Sequence, residues 1–402
     1  MDNMPPSEIP CAVVLGLSPT GLHVVRELGR QGISVVGVSA QTQAGSFSRY
    51  LSAKITELSP ERRLEMLCQM FPVLELSKGK RKPVLIPTSD QDVCLIIDNI
   101  ERLSQHFSFQ LSYSDGLASR IMDKERFYEM CASYGVEFPR IWKGTVSDMR
   151  GLRSELLFPC IIKPSRIHEI KEKMKGKKVW MVRDVSELDR VLESVPDDSI
   201  MLLAQEIVPG AETEISLYCG YFDVGCQPSQ PFTARKLRQY PPGFGSASLV
   251  QSSDESDCRQ ITEKFLSSIG YRGIAASEFK RDPMTGKWKI IEINVRPSLW
   301  FSISSSAAKH PVLAAYYKLA GIDRVLPELP QRNGVRWRYL LKDMWSAIFY
   351  AGAKNFILPS PDINASGGSK KRVYAVFAMD DPMPALGEVL NFFAKAWIRI
   401  RR

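Results

Sequence analysis

The chain has 402 residues, enough for two or three domains with a sizeable core, and its 44% hydrophobic and 24% charged residues are the balance of an ordinary globular protein. A formal net charge of +9, from 53 basic and 44 acidic residues, favours an anionic partner such as ATP, an acidic substrate, a lipid surface or nucleic acid. Eight scattered cysteines without a C-x-x-C pair, and four histidines (His23, His106, His168, His310) without ligand spacing, argue against a zinc site and histidine-based catalysis. Cys11, Cys94 and Cys160 lie in apolar runs and read as core thiols, which suits a reducing cytoplasm. The opening MDNMPPSEIP lacks the basic and apolar regions of a signal peptide, and no apolar run is long enough to span a membrane. A cytoplasmic address is therefore expected, with the inner face of a membrane as the variant.

Cys11 to Gly16, CAVVLG, predicts a strand, LHVVRELGRQG a helix, and Ile33 to Val38 a second strand. This β-loop-α-β opening is half of a doubly wound domain. Gly16 and Gly21 form only a loosened dinucleotide fingerprint, and no ribose-binding acid follows Val38, which argues against a nicotinamide cofactor. Ser46, Ser48 and Arg49, near a predicted strand end, read as substrate contacts or as an ordinary loop. After the basic segment Lys78 to Lys82, a buried strand is expected from Val84 to Ile86, ending in a polar turn at Thr88, Ser89 and Asp90. Ligand sites favour the carboxyl ends of parallel strands, so Ser89 and Asp90 are candidate substrate-binding residues. A helix N-cap would explain either without a ligand.

Lys124 begins a helix that turns Phe127, Met130 and Cys131 inward and ends at Gly135. FPCIIKP is an apolar strand interrupted by Lys163, which must reach an anion or snorkel to water. The segment that follows holds Lys171, Lys173, Lys175, Lys177 and Lys178 with Gly176 as its one glycine: a phosphate cover, an entrance for an anionic acceptor, or a solvated charge run. MLLAQEI predicts a strand leading into VPGAETEISLYCG. In FTARKLRQYPPGFGSASLV, two prolines with Gly243 and Gly245 predict a shaped loop rather than a strand.

Tyr271 to Trp300 reads as two strands joined by a turn at Asp282, Pro283 and Gly286. Glu278 lies on the first strand; Glu292 and Asn294, two apart, share a face of the second. Pairing can bring Glu278 across to them, and three oxygen ligands on a rigid hairpin suit Mg²⁺. The plainer reading is a surface hairpin with its acidic side in water, which accounts less readily for polar residues inside IIEINV followed by Arg296. An arginine there can offset charge on a transferring phosphoryl group.

The order DK…IIKP…QEIVPG…EIN resembles that of the ATP-grasp ligases, and GLSPTG…GISVVGV…LIPTSDQD with RKLRQYPPG is similar to the D-aspartate ligase-like group of carboxylate–amine ligases. The resemblance implies an α/β protein: an N-terminal doubly wound domain (1–116) followed by a two-lobed α+β ATP-grasp domain (117–325), with a C-terminal extension (326–402). It implies ATP between the lobes, and Mg²⁺, or Mn²⁺ in its place, on Glu278, Glu292 and Asn294. Lys124 and Lys163 would approach the nucleotide. Gln205 would face the purine, with Glu206 and Ile207 on the adjoining edge, and Glu212 (or its same-face neighbour Glu214) would hold the ribose. Lys236 would stand near the transferring phosphate, Arg235 and Arg238 at the substrate carboxylate, and Arg296 beside the acyl phosphate. The lysine-rich stretch at 171–178 departs from the glycine-rich phosphate cover of the family.

Ser302 to Gly321 predicts an apolar helix broken near Pro311, and VYAVFAM a strand. From Pro384 to Arg402, Leu386, Val389, Leu390, Phe393 and Trp397 recur at helical spacing before a basic end at Lys395, Arg399, Arg401 and Arg402. Such a helix docks on the body or lies on an anionic membrane. The expected activity is ATP-dependent joining of a carboxylate, such as an amino acid, to an anionic or carrier-linked amine, through an acyl phosphate. The alternatives are a carboxylase or carbamoyl-phosphate-forming enzyme and an inactive nucleotide-binding scaffold. No module specific for nucleic acid is present in the sequence, and a homodimer is one expected assembly.

Overall fold

The apolar run after Pro10 forms β1 (Ala12–Leu15), every residue of it buried, followed by the helix Pro19–Gly29 with proline in its first turn, where no N–H is lost. In the computed structural model, residues 9–73, 81–164, 179–353, 356–364, 367–368 and 371–390 are described. β2 (Val35–Ser39), β3 (Ala53–Thr56) and β4 (Val84–Pro87) join β1 in an all-parallel sheet of order β3-β2-β1-β4. The chain starts at β1, runs outward on one side and returns to β4 on the other, so the order reverses between β1 and β4. That reversal brings Gly16 and Thr88 together at the carboxyl edge, where ligands bind in such sheets. Thr88 donates to the Leu15 carbonyl at 2.7 Å, and a Cβ on Gly16 (φ +83°) would stand 2.6 Å from the Thr88 hydroxyl. Only glycine fits there. The helix Asp90–Ile97 follows, capped by the Ser89 side chain, which accepts from the Asp92 N–H. Cys11 and Cys160 are buried as expected, but Cys94 is exposed, because this helix turns Val93 and Ile96 inward instead.

A second sheet is antiparallel, with order β5-β8-β6-β7, built from β5 (Ile141–Gly144), β6 (Cys160–Pro164), β7 (Trp180–Val182) and β8 (Leu202–Glu206). The helices Val146–Gly151 and Val185–Glu193 close its own core, in which Met149, Ile162, Val182, Leu188 and Ala204 are fully buried. The helix Lys124–Ser133 forms as the sequence predicts, with Phe127, Met130 and Cys131 inward.

The third sheet has seven strands: β9 (Ile215–Phe222), β10 (Pro228–Tyr240), β11 (Ser246–Ser252), β12 (Gly273–Arg281), β13 (Trp288–Asn294), β14 (Val335–Arg338) and β15 (Lys371–Tyr374). Its order is β13-β12-β9-β10-β11-β14-β15. β10 corrects the sequence reading: FTARKLRQY is strand, and only 241–245 is loop. The buried Phe232, Ala234 and Leu237 anchor it to the core, which outweighs the turn signal of the prolines downstream. The expected helix 302–321 is two, Ser302–Ser306 and Pro311–Leu319, and β15 ends before most of VYAVFAM. The chain forms two compact units: Met1–Asp123 with Ala211–Phe279 and Glu292–Arg402, and Lys124–Gly210 with Lys280–Ile291.

The C-terminal segment is bound into the first unit. Asp381, fully buried, accepts from Arg26 Nε (2.9 Å), Ser48 Oγ (2.7 Å) and the Arg49 N–H (2.9 Å). Ser48 and Arg49, candidates for substrate contact, thus hold the chain's own carboxylate. Asp380 makes an exposed two-bond pair with Arg30. A helix over 383–390 follows, its Gly387 set so close to Phe47 that a Cβ would meet the ring at 2.2 Å. Phe393, Trp397 and the basic end of the tail lie outside the described residues, as does the lysine-rich stretch 165–178.

Asp381→Ala is expected to cost about 3–5 kcal/mol in urea unfolding, because it strands a buried guanidinium. Asp380→Ala, at the exposed pair, is expected to cost about 1 kcal/mol or less. A second buried carboxylate, Glu27, has Oε1 2.8 Å from His310 Nδ1 and accepts from Ser305 Oγ. Burial raises its pKa, but His23 and His310 outweigh that and hold it down to about 2. The hydrogen bond to Glu27 raises His310 above 6.5. The Glu27 contribution is therefore present above about pH 4.5 and lost toward 2, while that of His310 is full below 6.5 and lost as pH rises through its folded-state value. The stability gap between wild type and His310→Asn should be widest between these limits and close at alkaline pH, measured by urea unfolding across a pH series.

Candidate active site

Lys236 sits on β10 with 2% of its surface exposed, and an ammonium so buried requires an acceptor. Its Nζ donates to Glu278 Oε1 at 2.6 Å and to Gln239 Oε1 at 3.3 Å. On β13, Asn294 Nδ2 donates to Glu292 Oε1 at 3.0 Å, so the two residues share a strand face as their spacing requires. The hairpin turn is closed by the Asp282 N–H on the Lys287 carbonyl and the Gly286 N–H on the Asp282 carbonyl. Two carboxylates and an amide are hard oxygen donors, the type Mg²⁺ takes. Among the described residues no three His, Cys, Asp or Glu stand together. The donor types of Glu278, Glu292 and Asn294 fit such a metal.

Arg296 follows the hairpin. Its Nε donates to Asp90 Oδ1 at 2.8 Å, joining two candidate substrate residues that lie far apart in sequence. Beside them, Asp92 is buried, with Arg63 Nη1 3.7 Å from its carboxylate. Burial raises the Asp92 pKa, partly offset by the Ser89 hydrogen bond and by Arg63 and Arg296. This edge of the parallel sheet thus holds both signs of charge.

In the second unit, Lys163 Nζ donates to Gln205 Oε1 at 2.8 Å. Ile161 opposes Gln205 across β6 and β8, so Lys163 is its same-face diagonal neighbour. Glu206 is braced by Lys289 Nζ (2.6 Å) and the Arg140 N–H (2.9 Å). Ile207 is buried, and Lys124 Nζ reaches the Ile291 carbonyl at 3.4 Å.

Other candidates are engaged within the first unit. Arg235 makes two bonds to Glu255, and Arg238 two bonds to Asp343, which Arg338 also contacts. Glu212, fully buried, accepts from the Gln239 N–H (2.9 Å), the Gly243 N–H (2.7 Å) and Tyr350 Oη (2.7 Å), and burial raises its pKa. It fastens the loop 241–245. Sequence reasoning missed Gln239, Lys289, Tyr350 and Arg63. Of these, only Lys289, preceding IIEIN on the same hairpin, had a local signal.

No family model matches the chain. A D-aspartate ligase of Enterococcus faecium (strain Aus0004) is 26% identical over 231 residues, 55% of this chain and 54% of its own length. The chain thus spans about half the length of the curated relative it matches. Solved structures match over more of it. Biotin carboxylase from Campylobacter jejuni superimposes with a TM-score of 0.59 at 15% identity, covering 82% of this chain and 75% of its own. N5-carboxyaminoimidazole synthase from Aspergillus clavatus, solved with ADP and 5-aminoimidazole ribonucleotide, gives 0.57 at 15%, covering 82% and 81%. The chain has the ATP-grasp fold. The L-amino acid ligase from Bacillus licheniformis gives a TM-score of 0.56 at 14% identity, covering 78% and 75%.

Glu212→Ala removes the acceptor of two buried backbone N–H groups, and a buried donor left unpaired costs about 1–3 kcal/mol. The variant should lose about 3 kcal/mol or more, and the Gln239 and Gly243 amides should exchange with deuterium far faster than in wild type. Unchanged exchange would remove Glu212 as the fastening of the loop.

Proposed function

We propose that the protein is an ATP-dependent carboxylate–amine ligase that forms an amide or peptide bond with release of ADP and phosphate. The observation that carries this reading is the ion pair of buried Lys236 with Glu278 on an ATP-grasp sheet, Glu278 lying on the strand beside the one that carries Glu292 and Asn294. The likeness to a D-aspartate ligase supports an amino acid as the carboxylate substrate. Glu278, Glu292 and Asn294 would hold Mg²⁺, or Mn²⁺ in its place, which when bound offsets phosphate charge. Lys163 and Gln205 serve the nucleotide, and Lys236 donates toward the phosphate that is transferred. Glu206 and Ile207 form the neighbouring edge, Lys124 supports it, and Glu212 orders the loop beside the ribose. A substrate carboxylate oxygen attacks the γ-phosphorus, and the bond to ADP breaks. The amine then attacks the acyl carbon, loses a proton, and phosphate departs with the carboxylate oxygen. Arg296 offsets charge on the acyl phosphate, while Asp90 and Ser89 face the substrate and Arg235 and Arg238 shape the sheet around it.

The acceptor is an anionic or carrier-linked amine, and peripheral contact with a membrane from the cytoplasmic side belongs to the same reading. A carboxylase is the second reading, favoured by the biotin carboxylase and N5-carboxyaminoimidazole synthase folds. Bicarbonate-dependent ADP formation without an amino acid would select it.

Glu292→Gln and Asn294→Ala should each lower ADP formation by about a hundredfold or more and shift the Mg²⁺ dependence, with thermal unfolding unchanged. Equal rates and equal metal dependence in both variants would remove these residues from the site. With an amino-acid panel, oxygen label from the carboxylate should enter inorganic phosphate and hydroxylamine should trap the acyl phosphate. Release of AMP and pyrophosphate would instead mean adenylation.

A further inference from the structure

The helices that follow β3 and β4, Pro60–Val73 and Asp90–Ile97, both begin at the carboxyl edge of the parallel sheet. Arg63 lies in the first turn of one and Asp92 in the first turn of the other. Asp92 Oδ2 accepts from Ser89 Oγ at 2.5 Å and would stand 3.1 Å from a Cβ on Gly16. Gly16 follows β1 and Ser89 follows β4, so the carboxylate lies in the crevice where the strand order reverses. Arg63 Nη1 stops 3.7 Å from Asp92 Oδ1.

That gap sets Arg63 apart. Arg26, Arg238 and Arg296, with side chains 6%, 12% and 15% exposed, each bring Nε within 2.7–2.9 Å of a carboxylate oxygen. Arg63, at 14%, does not. Its Nε is buried without a hydrogen-bond partner among the described residues, and 3.7 Å is beyond hydrogen-bond range. A purely structural partner of Asp92 would close the gap as the other three do. A buried guanidinium with open donors is costly, and such an orphan calls for a reason. Its planar fork fits a carboxylate or a phosphate through two parallel bonds. Asp92, and Asp90 paired with Arg296, set negative charge at the same edge. That charge disfavours a phosphate dianion and suits a carboxylate that travels with its own ammonium.

We propose that Arg63 is a substrate-binding residue: its guanidinium takes a carboxylate of the amino-acid substrate, and Asp92 takes the neighbouring ammonium. The zwitterion gives each a closer partner than the 3.7 Å they offer one another. This assignment deepens the ligase reading and rests on it for the kind of substrate. It adds a contact from the Pro60–Val73 helix to those of Ser89, Asp90 and Arg296.

The test is thermal unfolding of the full chain, without nucleotide, against free amino acids of both hands. Their carboxamides, their deaminated analogues and inorganic phosphate are the comparison ligands. Wild type should be stabilised by an amino acid and far less by its carboxamide or by phosphate. Arg63→Met should weaken that amino acid about tenfold or more and leave the carboxamide unchanged. Asp92→Asn should weaken the amino acid but not its deaminated analogue. In turnover, KM for the amino acid should rise in Arg63→Met while KM for ATP holds. If Arg63→Met does not fold, Arg63→Lys, which keeps the charge and loses the fork, should still lower the preference for carboxylate over carboxamide. A merely structural role would lower stability in the variants without touching that preference, and would overturn the proposal. Wild type stabilised by no amino acid, or equally by phosphate, overturns it too. ADP formation with unchanged KM in the Arg63 variants sinks the anchor and leaves the ligase reading standing. Amino-acid binding lost in Arg63→Met, with no ADP formed by wild type, keeps the anchor and sinks the ligase reading.

Discussion

Lys236 carries a positive charge on a stretch of β10 where solvent is nearly excluded, and a lone ammonium there is untenable. Glu278, on β12, supplies the opposite charge. Strand alternation would put Arg238 on the same face, two cations competing for one carboxylate. The register of β10 against β11 shifts between Lys236 and Arg238 and again between Arg238 and Gln239. Bulges re-aim side chains, and this one frees Arg238 to reach Asp343 instead. Lys236 then keeps Glu278, and Arg238 shares Asp343 with Arg338. Gln239 remains free to accept from Lys236 through its side chain while its N–H is held by Glu212.

The parts of this arrangement that repeat locally were legible in the chain. E-x-N on a strand must share a face, and Asn294 does bond Glu292. A lysine in an apolar strand is expected to reach an anion or water, and Lys163 instead donates to the neutral amide oxygen of Gln205. Ser89 caps its helix as the residue type suggests, while Asp90 is left to pair with Arg296. The partners set by tertiary folding were not legible. Asp343 is 105 residues from Arg238, Tyr350 is 138 from Glu212, and Asp381 is 355 from Arg26. Nothing in the spacing of Arg235 or Arg238 distinguishes a guanidinium awaiting substrate from one already bound by Glu255 or Asp343. The reading of FTARKLRQY as loop gave Pro241 and Gly243 too much reach. Turn residues punctuate the end of a strand without dissolving it, and burial of Phe232 and Ala234 decided the matter.

The same charge constraint explains why the C-terminal region looks inverted. β14 and β15 complete the large sheet and bring Arg336, Arg338 and Arg372 beside Arg238. A helix laid on such a face must offer anions and hydrogen-bond acceptors inward. Asp343 meets that demand, and Ser346 and Tyr350 bond the same strand and its loop fastening. With its inner face committed to polar contacts, the helix can place its apolar residues only outward. The buried cations of the sheet, the polar inner face of Leu340–Gly352 and its apolar outer face are therefore successive consequences of one requirement for charge balance in the interior.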